Sequence, residues 1–308
     1  MKVLIEGLGS IGRKHVDAIL SLNPRADIYA IRTTKDAPIY RSVKNIYNYS
    51  ELPSNIDFGI ISNITSEHEN SIIEMIKRRL PLFIEKPVIS DVSGASKIQS
   101  LLDEYGLTTY VACNMRFHPA IKFLKKYLSE SVVRINEVNI YCGSYLPEWR
   151  PNKDFRKIYS ANVEMGGGVH LDLIHELDYC TWIFGFPISV IAEKRSVSSL
   201  KISSVDSAHF ILKYPEYSTS IVLNYFRRDA KRTIEIVAEE FTIFVNLLSN
   251  SVVLSSSNIP LFKSDFNMVD TYKEQMKYFI NDVLPSNTSI NDFTNAIKVL
   301  TIANHANS

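Results

Sequence analysis

Lys2-Val3-Leu4-Ile5-Glu6-Gly7-Leu8-Gly9-Ser10-Ile11-Gly12 opens the chain, and the order of its parts predicts the fold. Lys2-Val3-Leu4-Ile5 reads as a short apolar strand. Three glycines follow at the spacing Gly-x-Gly-x-x-Gly, and a helical stretch continues through Leu20. Gly7 permits a tight turn, Gly9 lets the backbone approach a pyrophosphate, and Gly12 lets the helix pack closely on the strand. The amides of Ser10, Ile11 and their neighbours, at the positive end of the helix, then face the phosphates. The spacing alone is weak; between a strand and a helix at the start of a chain it predicts a dinucleotide site.

Working outward, Ile28-Tyr29-Ala30-Ile31 reads as the second strand, and it ends in Arg32-Thr33-Thr34-Lys35. A site built for NAD carries an acidic residue there for the ribose hydroxyls. A guanidinium and hydroxyls suit a 2′-phosphate, which a carboxylate would repel. Arg32 and Thr33 therefore favour NADP(H) over NAD(H), the other reading being a solvated strand end. Asp57 to Asn63 is a buried-type strand running into a polar loop, with a helix near 66–79. Pro81 to Pro87 is another apolar strand that ends in Glu85-Lys86-Pro87. The residue before proline is pushed out of helical geometry, so Lys86 sits at an extended strand end, where parallel sheets bind ligands. The Lys86-Pro87 bond is a candidate for the cis form.

A second informative stretch is Gly166-Gly167-Gly168-Val169-His170-Leu171-Asp172-Leu173-Ile174-His175-Glu176-Leu177-Asp178-Tyr179. Adjacent glycines suit a tight turn or the close approach of a ligand. Asp172, His175 and Glu176 are three and four residues apart, which on one continuous helix places them on one face. Three readings stand on the residues alone. The first is a general acid/base His175 supported by Asp172, at a cleft floored by the glycines. The second is a helix start with an acidic first turn. The third is a metal site of His170, His175 and a carboxylate, although no zinc signature such as His-Glu-x-x-His is present.

Gly7-x-Gly9-x-x-Gly12 with His15, Glu85-Lys86-Pro87, Asn114-x-Arg116-Phe117-x-Pro119 and the Gly166 to Asp178 stretch, in this order, resemble the Gfo/Idh/MocA family of NAD(P)-dependent oxidoreductases over nearly the whole chain. The resemblance implies an α/β protein: a Rossmann parallel sheet at 1–118, then an α+β domain at 119–308 for substrate binding and oligomerisation. That second domain would have a large, mostly antiparallel open sheet, with helices at about 271–308 packing back on the first domain. Lys86 would lie beside the nicotinamide and the reacting hydroxyl, with Asp172 and His175 as the carboxylate and catalytic histidine. Asn63, His68, Glu85 and Asn114 are expected with the glycines among the cofactor contacts, and no metal is expected. In one respect the chain departs. The common pattern is Asp-x-Gly-x-His, whereas Asp172-Leu-Ile-His175 is one residue shorter and lacks the glycine, so the angle of Asp172 to the histidine must differ.

The second half carries segments that read as strands at 132–142, 188–197, 205–214, 218–226 and 233–247, with a turn at Pro215-Glu216. Tyr145 to Tyr159 gathers aromatic rings and arginines, which suit sugar faces and phosphate or carboxylate groups. Trp149, Arg150, Asp154, Arg156 and Tyr159, with Arg116, are expected substrate contacts, a structured surface loop being the other reading. By resemblance the substrate is a sugar or nucleotide sugar, its secondary hydroxyl giving a proton to His175 and a hydride to the nicotinamide. Two other classes stay open: a non-catalytic dinucleotide-binding regulator, and a redox-assisted glycosidase.

The 308 residues are 45% hydrophobic with a formal net charge of +1, enough for two domains and without a dominant attraction to nucleic acid or anionic membrane. Cys113, Cys142 and Cys180 have neither metal nor disulfide spacing and read as buried small hydrophobes in a reducing compartment. No apolar run approaches membrane-span length and the first residues read as a strand, so a cytoplasmic protein is expected, and the resemblance implies a homodimer or homotetramer joined through the C-terminal sheet.

Overall fold

The opening strand, β1 (Lys2–Glu6), lies inside a six-stranded parallel sheet, and Val3, Leu4 and Ile5 are fully buried. That is why the stretch reads as a continuous apolar run: a strand covered on both faces has no polar side to alternate with. It is followed by α1 (Ser10–Leu22), β2 (Asp27–Ile31), β3 (Lys44–Ile46), β4 (Phe58–Ile61), α2 (His68–Lys77), β5 (Leu82–Ile84), α3 (Ala95–Tyr105) and β6 (Thr109–Val111). The strand order is β3-β2-β1-β4-β5-β6, and Val3 lies opposite Ile28 on one side and Phe58 on the other. The order reverses between β1 and β4, and sheets of this kind bind ligands outside the strand carboxyl ends at that switch point. Helix α3 stops at Gly106, whose φ of +60° lets its N–H reach back to the Asp103 and Leu102 carbonyls.

The computed structural model describes residues 1–257 and 259–308, and they divide into two units. One comprises 1–114 with 268–298, the other 115–267 with 299–308. The boundary expected after 118 differs from this division, in which 268–298 group with the parallel sheet. The second unit begins with α4 (Pro119–Glu130), which has proline in its first turn, where the missing N–H costs nothing. It continues through β7 (Ile135–Gly143), α5 (Val169–Asp172), α6 (His175–Phe184), β8 (Ser189–Arg195), β9 (Ser207–Lys213), β10 (Ser218–Asn224), β11 (Lys231–Ala238), β12 (Thr242–Asn246), β13 (Ser251–Leu254) and β14 (Phe262–Lys263). These eight strands form one sheet in the order β14-β13-β12-β11-β7-β10-β9-β8. Only β7 and β10 are paired in parallel; the other neighbours are antiparallel. Strand β9 shows the cause: Ala208, Phe210 and Leu212 are buried while His209, Ile211 and Lys213 are exposed, the period-two pattern of a sheet covered on one face.

The single strand expected at 233–247 is two, β11 and β12, which reverse at Glu239-Glu240 and pair with Val237 opposite Thr242. Apolar alternation resumes directly after the turn, so the run looked continuous. The chain then returns to the first unit through α7 (Met268–Tyr278), a π-helical turn at Phe279–Val283, α8 (Leu284–Ser286) and the start of α9 (Phe293–Ala303). Phe279 packs edge-on to Phe58 and Phe83 with ring centroids 5.1 and 5.4 Å away. The Val111 and Asn291 backbones and the Asn291 side chain exchange hydrogen bonds, which satisfies β6 beyond its last strand neighbour.

Candidate active site

In the first unit the three glycines play two different parts. A Cβ on Gly7, whose φ is +96°, would lie 2.2 Å from the Asn63 nitrogen, and one on Gly12 would lie 2.1 Å from the Gly7 carbonyl oxygen. Both therefore permit close packing of turn and helix. A Cβ on Gly9 would meet nothing within 4 Å, so its backbone is open. Helix α1 begins there with no side-chain cap and no acidic residue in its first turn, which leaves amides and the positive helix end for an anion. Arg13 Nε and Arg32 Nη1 are buried without a hydrogen-bond partner, as is Asn63 Oδ1. A dinucleotide fits this set: phosphates for the amides, acceptors for the arginines and a ribose donor for Asn63.

Thr33 is exposed. His68 is only 1% exposed, and its Nδ1 lies 3.2 Å from the Val88 carbonyl oxygen. Burial lowers its pKa, so it is a neutral packing group beneath the strand ends. Asn63 Nδ2 donates to Ser71 Oγ at 2.8 Å, and Asn114 Nδ2 donates to Thr271 Oγ1 at 2.7 Å. Glu85 reaches back to α1, where His15 Nε2 lies 2.6 Å from its Oε1, while its Oε2 accepts from the Lys86 backbone N–H at 3.2 Å. Burial, the largest single influence, would raise the Glu85 carboxyl, but the hydrogen bond and charge of His15 together with the charge and backbone N–H of Lys86 outweigh it and hold the pKa below the usual carboxylate range. Lys86 itself is half-buried directly after β5, and its peptide bond to Pro87 is cis.

In the second unit the glycine triplet serves the chain's own backbone. Gly166 and Gly168 have φ of +82° and +148°, and a Cβ on Gly167 would lie 2.1 Å from the Tyr159 carbonyl oxygen. The close approach there is made by the 159–162 segment, which corrects the expectation of a ligand-facing glycine floor. The continuous helix expected after it is also interrupted. Helix α5 ends at Asp172, Leu173 and Ile174 form a turn, and α6 begins at His175. Asp172 and His175 thus sit on different helices and not on one continuous helical face. The shorter spacing between them lies in a turn. Asp172 is 6% exposed and accepts from the Tyr225 hydroxyl at 2.5 Å, while His175 is half-buried at the first position of its helix. Burial, with Asp172 beside it, pushes the Tyr225 hydroxyl pKa far up, so it stays a donor.

Two buried ion pairs hold the start of α6. Arg116, 4% exposed, grips Asp178 through Nε at 2.9 Å and Nη2 at 2.7 Å. Arg232 Nε lies 2.6 Å from Oε1 of Glu176, which is fully buried. His170 is pushed down to about 4 by burial, with Lys194 adding to the shift, and is therefore neutral near pH 7. Among the described residues no three His, Cys, Asp or Glu side chains cluster in a way that could hold a metal ion. Of the loop residues, Trp149 packs against Tyr225. Its indole stands edge-on to Tyr225, with centroids 5.3 Å apart, and its Nε1 donates to Ser144 Oγ at 2.8 Å. Arg150, Asp154 and Arg156 are exposed, Asp154 accepting from the Arg156 amide, and Tyr159 is half-buried. All three cysteines are buried.

Sequence reading missed Tyr225, Glu176 with Arg232, and the bond from His15 to Glu85. For the last there was a signal, since both residues belong to motifs already singled out; Tyr225 had none.

Residues 1–113 match the model of the Gfo/Idh/MocA oxidoreductase family, described as an NAD-binding Rossmann fold. The scyllo-inositol 2-dehydrogenase (NAD(+)) of Bacillus subtilis strain 168 is 22% identical over 316 residues, 94% of this chain and 88% of that protein. Two solved structures share the fold at 17% identity. UDP-N-acetylglucosamine 3-dehydrogenase GnnA from Acidithiobacillus ferrooxidans superposes with a TM-score of 0.78 over 98% of this chain and 95% of its own. The WlbA dehydrogenase of Bordetella pertussis, in complex with NADH and UDP-GlcNAcA, does so at 0.79 over 98% and 93%. With its glycine-led turn, its parallel sheet and its mostly antiparallel second sheet, the chain has the fold of these solved structures, and its first 113 residues match the NAD-binding Rossmann domain of the Gfo/Idh/MocA oxidoreductases.

Proposed function

We propose that the protein is an NAD(P)-dependent dehydrogenase or reductase acting on a secondary alcohol or ketone of a sugar or nucleotide sugar. The observation that carries the reading is the placing of Lys86. It follows the carboxyl end of β5 in the dinucleotide-binding sheet, one residue beyond a carboxylate tied by His15 to the glycine-led helix. The names of similar proteins support the substrate class, since they include an inositol dehydrogenase and UDP-sugar dehydrogenases.

The residues that would hold the dinucleotide are Gly7, Gly9, Ser10, Ile11 and Gly12 at the phosphates, with Arg32 and Thr33 at the adenosine ribose. Asn63, Glu85 and Asn114 border the sheet ends, and His68 packs beneath them. When bound, the nicotinamide supplies a hydride acceptor or donor. The chain's own work is proton transfer and charge. The imidazole of His175 takes the hydroxyl proton in oxidation and returns it in reduction. The Lys86 ammonium stabilises negative charge developing on the substrate oxygen. Asp172, fixed by Tyr225, hydrogen-bonds substrate hydroxyls or sets the His175 tautomer. Arg116, engaged with Asp178, acts by positioning α6. Trp149, Arg150, Asp154, Arg156 and Tyr159 border the substrate.

Lys86→Ala and His175→Ala should each lower kcat by about 10²–10⁴-fold, with NAD(P)H binding, followed by nicotinamide fluorescence, retained. Near-normal turnover in both would end the assignment. Glycoside release without net NAD(P)H would favour a redox-assisted glycosidase instead, and cofactor binding without turnover a regulator. For the cofactor we assign a preference for NADP(H), supported by the unpartnered Arg32 Nη1. The assembly is a homo-oligomer joined through the second sheet. The setting is the cytoplasm, supported by the buried thiols of Cys142 and Cys180, which form no disulfide.

A further inference from the structure

The carboxyl ends of β7 and β10 and the start of β11 gather cations and aromatic rings that the reaction above does not use. The Arg228 guanidinium lies 3.6 Å from the centroid of the Tyr145 ring, over its face. Of the neighbouring cations, Arg227 is neutralised by Asp229 and Arg232 by Glu176, while Lys231 lies over the Tyr141 ring. No carboxylate pairs with Arg228 or Arg150 among the described residues, and both are exposed. Tyr145 is not remote from the candidate site. It follows Ser144, which accepts from the Trp149 indole; Trp149 stands against Tyr225, and Tyr225 donates to Asp172. The Leu146 N–H also donates to the Tyr225 carbonyl at 2.8 Å. An unbroken run of contacts therefore leads from the carboxylate of the acid/base segment to Arg228.

A guanidinium held on an aromatic face is already ordered, with its N–H fork still available for an anion. A cation left without a carboxylate at the end of such a run keeps its charge uncompensated. We propose that Arg228 on its Tyr145 platform, with Arg150, binds an anionic group carried by the substrate, and that this group is the diphosphate of a nucleotide sugar. The proposal rests on the dehydrogenase reading only for what the substrate is; the anion site itself is a binding claim. A neutral polyol would give these arginines nothing to hold. A sugar carboxylate offers the same chemistry from another source.

The test uses the full chain with NAD(P) saturating, so that the glycine-led site is occupied. UDP, inorganic pyrophosphate and glucuronate are titrated calorimetrically. UDP and pyrophosphate should bind, Arg228→Ala should weaken both by about 10- to 100-fold, and Arg228→Lys should recover part of the loss. Unchanged melting temperatures would show that the exposed substitutions leave the fold intact. No binding of UDP, or equal binding to wild type and Arg228→Ala, overturns the proposal. Arg228-dependent binding of glucuronate alone overturns the diphosphate in favour of a carboxylate. The two readings fail differently. Arg228-dependent UDP binding with no NAD(P)H formed from any nucleotide sugar supports the anion site while the dehydrogenase reading falls. Sugar turnover with UDP binding indifferent to Arg228 does the reverse.

Discussion

A buried donor without an acceptor costs about 1–3 kcal/mol, and Arg32 Nη1 is such a donor at the end of β2. A 2′-phosphate would relieve it with a charged acceptor. Arg32→Ala should therefore weaken NADPH binding by about 10- to 100-fold and leave NADH binding nearly unchanged, as read by fluorescence titration. Equal loss for both dinucleotides would remove the assignment to the 2′-phosphate. The places of Arg32, Gly7 and Lys86 were legible because they follow from local chain geometry: a strand end, a positive φ, a position before proline. Tyr225 and the bond of His15 to Glu85 were not, because their partners lie 53 and 70 residues away. Such meetings depend on which strands become neighbours, and a list of motifs carries no sheet order.

The start of α6 is the element on which the proposed site depends. It carries His175, and the two residues that tie it down, Glu176 and Asp178, follow directly, each paired to an arginine from another part of the second unit. Breaking a buried pair from one side costs about 3–5 kcal/mol, because the remaining charge is left uncompensated. Glu176→Ala should thus lower the denaturation midpoint sharply. Glu176→Leu combined with Arg232→Met should restore most of it, since replacing both charges by apolar groups is close to neutral. An unchanged midpoint in the single variant would show that the pair does not hold the helix. The break at Leu173-Ile174 was hidden because Asp172, His175 and Glu176 fit a helical period whether or not the helix is continuous. The pairing of Glu176 with Arg232 was hidden for a related reason: a glutamate in a first helical turn is well explained by the dipole alone.

At the scale of the molecule, the fold class could be read because the two sheets have different periods. Continuous apolar runs gave a sheet covered on both faces, and alternating runs gave one covered on a single face. The outer face of the second sheet bears on assembly. Strand registers place Ile191, Ile211, Ser220, Asn139, Glu235, Phe244 and Val253 in one row across seven strands. Ile191, Ile211 and Phe244 are 37%, 40% and 46% exposed. Seven strands at about 4.8 Å spacing span roughly 30 Å, wide enough for an interface of the size that stable homodimers use. The polar centre of the row, Ser220, Asn139 and Glu235, can hydrogen-bond across a two-fold axis, where each residue meets its own copy or its neighbour's. If this face joins copies of the chain, Ile211→Asp with Phe244→Asp should reduce the mass measured by sedimentation to that of a smaller species at micromolar concentration. The fold, followed by circular dichroism, should persist, because neither side chain belongs to the core. Wild-type protein that sediments as a monomer, or a double variant that keeps the wild-type mass, would rule out assembly through this sheet.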